Sequence, residues 1–205
     1  MIGFFYFTTQ FMQDGLGFSP VQAGLGFLPM TLVNFVVALA VPRLSIQVSN
    51  GALLAAGIAV TLVGMLWLSR IGVGETYLVA VGLPMVLIGA GQGLAFGPLT
   101  NAGIAGVDPA AAGAASGLVN TAHQLGMALG LGILVAISAD SGAGLDNLSA
   151  VTRHVGVALT GSSVLLALAL VVAAAVIVPA GQARTGVLPV PGSTGTPWSR
   201  RSHIS

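Results

Sequence analysis

Residues 52–69 read ALLAAGIAVTLVGMLWLS, a run without a single charged side chain. A helix rises about 1.5 Å per residue, so crossing a hydrocarbon core of about 30 Å takes roughly 20 apolar residues. A segment apolar on every face has no side to turn to water. Residues 52–69 therefore read as a membrane span. Working outward on the same criterion, four more spans emerge: Pro20–Leu44, Tyr77–Leu99, Pro109–Ala139 and Val155–Val178.

Composition carries the same message. Of 205 residues 55% are hydrophobic and only 5% charged, against about 25% charged in soluble domains. So few charges cannot coat a water-facing surface, which makes membrane lipid the expected solvent. The net charge of +1 leaves no basic cluster for phosphate, so no nucleic-acid partner is expected. With no cysteine, disulfides, thiolate metal sites and cysteine nucleophiles are excluded. The spans contain no Asp or Glu, hence no paired carboxylate, no metal cluster and no Ser-His-Asp set. The reading is of a protein that is not an enzyme and calls for no cofactor.

The flanks look like helix ends. Ser19-Pro20-Val21-Gln22 reads as a capping box with proline at the first helical position, and Asp108-Pro109 repeats the acidic cap and the proline. Pro179 stops the last helix. Pro29, Pro84 and Pro98 fall inside spans, where each removes a backbone donor and should kink the helix. Residues 1–13 are apolar but reach only about 20 Å as helix, too short to span. From Ala180 the chain turns rich in Gly, Pro, Ser and Thr and reads as a disordered tail. With the tail cytoplasmic, Arg43, Arg184, Arg200 and Arg201 lie inside and Arg70 and Arg153 outside, which agrees with the positive-inside rule.

Glycine dominates the third span. Gly89, Gly93 and Gly97 stand four apart on one helix face, where another backbone can approach closely. The spacing of Gly91, Gly93 and Gly97 does not fit a dinucleotide fingerprint. The same four-residue device recurs at Gly113 and Gly117 and at Gly126 and Gly130, so close helix packing is expected there too. In the fourth span Asn120, His123, Gln124 and Met127 share one side, opposite Ala122, Gly126 and Gly130. A polar stripe facing lipid is costly, so it is expected to face the bundle interior or a wet cavity, as glue between helices or as lining of a substrate path. His123 is the ionisable side chain expected within a span.

Three stretches together resemble a known family. Gly17-Phe18-Ser19-Pro20-Val21-Gln22-Ala23-Gly24-Leu25-Gly26-Phe27-Leu28-Pro29 resembles the junction of the first two helices in the carboxyl-terminal half of fourteen-span drug:proton antiporters of the major facilitator superfamily. Gly89 to Thr100 resembles the glycine-rich helix that follows in that half. Ala114-Ala115-Ser116-Gly117-Leu118-Val119-Asn120-Thr121-Ala122-His123-Gln124-Leu125-Gly126 matches a further signature, with His123 where the family often carries arginine. The loop at Pro42-Arg43-Leu44-Ser45-Ile46-Gln47 keeps the arginine and leucine of the family's loop but lacks its aspartate and second basic residue.

The resemblance implies an all-α, polytopic transmembrane bundle: a six-helix half of the fold, built from two inverted three-helix repeats. Residues 1–178 would form that half, its first helix truncated, and residues 179–205 the cytoplasmic tail. The implied function is export of drug-like amphipathic molecules across the cell membrane by alternating access, driven by proton entry. Its partners would be a small-molecule substrate, protons, membrane lipid and an absent amino-terminal half. Asn34, Gln92, Asn120, His123 and Gln124 are the candidate polar wall positions, and Phe96 and Met127 the apolar ones. The competing readings are a transporter of the same fold for a metabolite, lipid or siderophore, and a non-transporting membrane subunit.

Overall fold

The computed structural model describes residues 2–72, 74–103, 106–141 and 143–177; the expected tail, with Arg184, Arg200 and Arg201, lies outside them. Helix α1, Ile2–Gln10, continues into a π-helical turn, Phe11–Gly15. It is followed by α2, Pro20–Leu25, α3, Leu28–Leu44, α4, Asn50–Leu68, and α5, Leu83–Gly103, the last preceded by a π-helical turn, Leu78–Gly82. Two long helices close the order, α6, Ala112–Ser138, and α7, Asn147–Val172. Among the described residues five segments are long and apolar enough to cross a membrane, with α2 and α3 counted together. The chain is a multi-pass membrane helix bundle.

The caps form as the sequence predicts. Ser19 Oγ accepts from the Gln22 amide while Gln22 Oε1 accepts from the Ser19 amide at 2.9 Å, a closed capping box ahead of Pro20. Asp108 Oδ1 accepts from the Ala110 amide at 2.8 Å and starts a short 3-10 turn that leads into α6. The prolines behave in different ways. Near Pro29 the first span is interrupted at Gly26–Phe27, and Pro29 sits in the first turn of α3. Pro84 begins α5 just after the π-helical turn, while Pro42 and Pro98 remain inside α3 and α5.

Several boundaries differ from the sequence reading: the third span runs on to Gly103, α6 starts at Ala112, and two helices start early behind a capping side chain. The second span begins at Asn50 because Ser49 caps it, its hydroxyl accepting from the Ala52 amide. The last helix begins at Asn147, eight residues before the expected Val155. Asp146 caps it through the Ser149 amide, so Arg153 and His154 are helical, not in a loop. Polar residues made that first stretch look like a loop, but a cap and the following apolar run are enough to carry a helix through them.

Lipid offers little drive for helices to cluster, so shape complementarity must hold the bundle. The packed centre joins Phe4, Phe7, Phe11 and Met12 of the amino-terminal turns to Met65 and Leu68 of α4, Met85 and Ile88 of α5, and Val155 and Leu159 of α7. Glycine brings α5 onto two neighbours at once. A Cβ at Gly91 would strike Thr61 and the Gly57 backbone, and one at Gly57 would sit 2.8 Å from Ala95 Cβ. On the other face a Cβ at Gly89 would strike the Met30 backbone. Burial is uneven, with 44% of α4 and 50% of the α5 span inside the bundle but only 11% each of the spans containing α3 and α6.

Candidate functional site

The expected close approach of α5 to α3 occurs, and it is graded. A Cβ at Gly89 would collide with Met30 backbone, at Gly93 it would lie 2.8 Å from the Asn34 carbonyl oxygen, and at Gly97 its nearest neighbour would be Val41 Cγ1 at 3.9 Å. The two helices touch at Gly89 and Gly93 and part by Gly97, toward their carboxyl ends. The wedge between them is a cleft of about 690 Å³, lined among others by Asn34, Gln92, Phe96, Asn50 and Asn101.

The lining is polar without charge. Asn34, Asn50, Gln92 and Asn101 bring amides, and Phe96 is 68% exposed and offers an aromatic face. Gln92 Nε2 is buried without a hydrogen-bond partner. Ala38 and Pro42 also line the wall; since proline has no N–H, the Ala38 carbonyl lacks the helical donor four residues on. The cleft thus combines amide donors and acceptors with an apolar, aromatic surface. That suits a molecule with both characters; the Ser45 hydroxyl on the same wall donates to the Pro42 carbonyl at 2.9 Å, and no His, Asp or Glu of the lining stands beside it as a base. Among the described residues no group of three His, Cys, Asp or Glu side chains could hold a metal ion.

The candidate wall residues divide into two sets. Asn34, Gln92 and Phe96 meet in this cleft. Asn120, His123, Gln124 and Met127 stand on α6 and do not line it; the first three are exposed and Met127 is half-buried. The glycines of α6 also differ from expectation. A Cβ at Gly113, Gly117, Gly126 or Gly130 would meet nothing within 4 Å, so this close-packing surface has no partner among the described residues. Sequence reading missed Asn50 and Asn101, which stand at helix ends where amides look like caps.

It also missed His154. Its Nδ1 lies 2.7 Å from the Ser138 carbonyl oxygen at the end of α6, and its ring centroid is 5.5 Å from that of Phe7. His123 is therefore not the sole histidine in a long helix. The available signal was the cap at Asp146, which places His154 two turns into α7. Outside the spans, burial raises the Tyr77 hydroxyl pKa, and the Ser149 hydrogen bonds lower that of the exposed Asp146 carboxyl.

Comparison with known proteins agrees with this architecture. The family model described as Major Facilitator Superfamily matches residues 1–131. The cephamycin export protein CmcT of Amycolatopsis lactamdurans is 41% identical over 162 residues, 78% of this chain and 33% of that protein. The puromycin resistance protein of Streptomyces alboniger is 36% identical over 67% of this chain and 28% of its own length. The multidrug efflux pump LfrA of Mycolicibacterium smegmatis is 31% identical over 65% of this chain and 26% of its own. The chain thus spans about a third or less of the curated relatives it matches.

Proposed function

The chain belongs to the Major Facilitator Superfamily, and from that premise we propose that it forms one helical half of a proton-driven exporter of drug-like amphipathic molecules in the cell membrane. The observation that carries the reading is the pairing of a charge-free, amide- and aromatic-lined cleft with the spans that contain α3 and α6 left only 11% buried. On α6 the glycine positions stand open, a surface suited to close approach of further helices. A second helical unit packed against α3 and α6 would cover these faces and close the cleft into a central cavity.

In this reading residues 1–178 are the membrane half and residues 179–205 a cytoplasmic tail. Asn34, Gln92 and Phe96 contact substrate from the cleft. Asn120, His123, Gln124 and Met127 line the path from α6 once the second unit is in place. Export and drug resistance are named for several relatives, which favours an outward-moving amphipathic cargo over a nutrient.

The test is efflux of ethidium from cells expressing the complete two-unit transporter, with and without a protonophore. Expulsion that stops when the proton gradient is collapsed supports the reading. Ethidium retention together with gradient-dependent movement of a metabolite, lipid or siderophore would assign the fold to another cargo. No transport of any of them would leave a membrane subunit.

A further inference from the structure

A second polar site lies at the opposite end of the bundle from the mouth of the cleft, where α1, the end of α6 and the start of α7 converge. The arginine distribution assigns this end to the outside. A cavity of about 290 Å³ opens there, lined by Gln10, Ala139, Ala150, Val151 and His154. Phe7 contacts the His154 ring, and Gln10 stands three residues further along the same helix, on the same face.

The hydrogen-bond inventory fixes one nitrogen of the ring. Nδ1 is 2.7 Å from the Ser138 carbonyl oxygen, and a carbonyl has no proton to give. Nδ1 is therefore the N–H donor, and Nε2 is the atom with a free lone pair. The same Ser138 carbonyl accepts from the Ser141 hydroxyl at 2.7 Å and from the Ser141 amide at 3.1 Å. It belongs to the last turn of α6, the negative end of the helix dipole. Gln10 Oε1 completes the pattern as a buried acceptor with no donor. Two acceptors of the cluster, His154 Nε2 and Gln10 Oε1, thus have no donor among the described residues.

We propose that this cluster is a proton-binding site: His154 Nε2 takes the proton, and Gln10 Oε1 accepts the N–H bond it creates. A proton from the outer aqueous phase adds to the Nε2 lone pair, giving an imidazolium held between the Ser138 carbonyl and the Gln10 amide; its release restores the neutral ring. Of the charged and titratable groups on the surrounding elements, Asp140 follows α6, Asp146 caps α7, Arg153 precedes the histidine, Arg70 and Glu75 follow α4, Asp14 lies in the π-helical turn and Tyr6 on α1. None of them lines the cavity, so the histidine is its one proton acceptor among the described residues. The inference rests on the proton-driven reading above and gives it an outer port for the proton.

The test is nitrogen NMR of the full chain, labelled with 15N-histidine in lipid nanodiscs, with the His154 signal assigned by its loss in His154→Gln. The expected spectrum at alkaline pH has a protonated Nδ1 and a bare Nε2, and acidification protonates the second nitrogen. In Gln10→Leu the Nε2 resonance of the protonated ring changes, because the acceptor of its N–H bond is gone. A ring protonated at Nε2 and bare at Nδ1, or a protonated-ring Nε2 signal indifferent to Gln10→Leu, would overturn the proposal. If the expected signature is found while efflux by the complete transporter ignores the proton gradient, the site stands and the proton-driven reading fails. If efflux follows the gradient and the tautomer is the other one, the reading stands and the site fails.

Discussion

The Tyr77 hydroxyl donates a 2.6 Å hydrogen bond to the carbonyl oxygen of Gly26, ties the start of the third span to the break in the first, and is among the few polar bonds that join distant segments. Gly26 lies at the interruption between α2 and α3, and the bond supplies that carbonyl with a donor from outside its helix. The bond is half-buried, so losing the hydroxyl should cost about 0.5–1.5 kcal/mol, the net worth of a typical hydrogen bond. Tyr77→Phe should lower the thermal midpoint of the detergent-solubilised protein accordingly. Burial holds the hydroxyl pKa above its ordinary 10.0. The stabilisation is therefore complete below that value and lost as pH rises through the higher native one. An unfolding profile of Tyr77→Phe that matches the parent at neutral pH would refute the role.

Gly57 and Gly126 should respond oppositely to a side chain. A Cβ at Gly57 would meet the Gly91 carbonyl oxygen at 2.6 Å and Ala95 at 2.8 Å, and overpacking of this kind costs about 1–3 kcal/mol. Gly57→Ala should reduce the yield of folded chain. At Gly126 nothing lies within 4 Å, and alanine is the better helix former by about 0.5–1 kcal/mol. Gly126→Ala should leave the chain's own stability unchanged or improved. If a second unit packs on α6, Gly126→Leu abolishes transport by the assembled protein without unfolding this chain; undiminished transport would remove α6 from the interface.

Gln92→Leu replaces a buried amide whose Nε2 has no partner, so no intramolecular bond of that nitrogen is broken and expression should hold. If the cleft contacts cargo, the variant shifts substrate range in a resistance panel by several-fold for compounds rich in hydrogen-bonding groups. Gln124→Leu on exposed α6 should also express normally. Poor folding of this second variant would make the α6 amide helix glue.

Asp146 starts α7 by accepting the Ser149 amide at 3.2 Å. Asp146→Ala should speed hydrogen exchange at Leu148 and Ser149 while leaving the rest of α7 protected. Its carboxyl is held below the ordinary 3.8 by the Ser149 hydrogen bonds. The cap is thus intact above that value and fails as pH falls through the lower native one. Exchange at these amides that stays flat through that acid range would show that the carboxylate contributes nothing.

Sequence showed the membrane helices because hydropathy is a property of each segment alone, and residues 52–69 needed no neighbour to be read. It also showed the Ser19 capping box and the Gly89–Gly93 approach, both set by residues three or four apart. Tertiary juxtaposition was not legible. Nothing local announces that Asn50 and Asn101 share a cleft with Gln92, or that His154 reaches the end of α6. The α6 stripe was legible as a stripe, but spacing does not say what it faces. Met127 is half-buried while Asn120 and Gln124 are exposed, because α6 touches the rest of the chain mainly through its carboxyl half, at Leu134 and Ser138.

The graded contact along Gly89, Gly93 and Gly97 gives the two helices a pivot over Gly89–Gly93 and a free arm beyond it. From Gly93 to the end of α5 at Gly103 the helix makes an arm of about 15 Å. A tilt of about 10° at the pivot would swing the far end by about 3 Å. Leverage of that kind would let a slight rocking of one helix alter the aperture of the cleft.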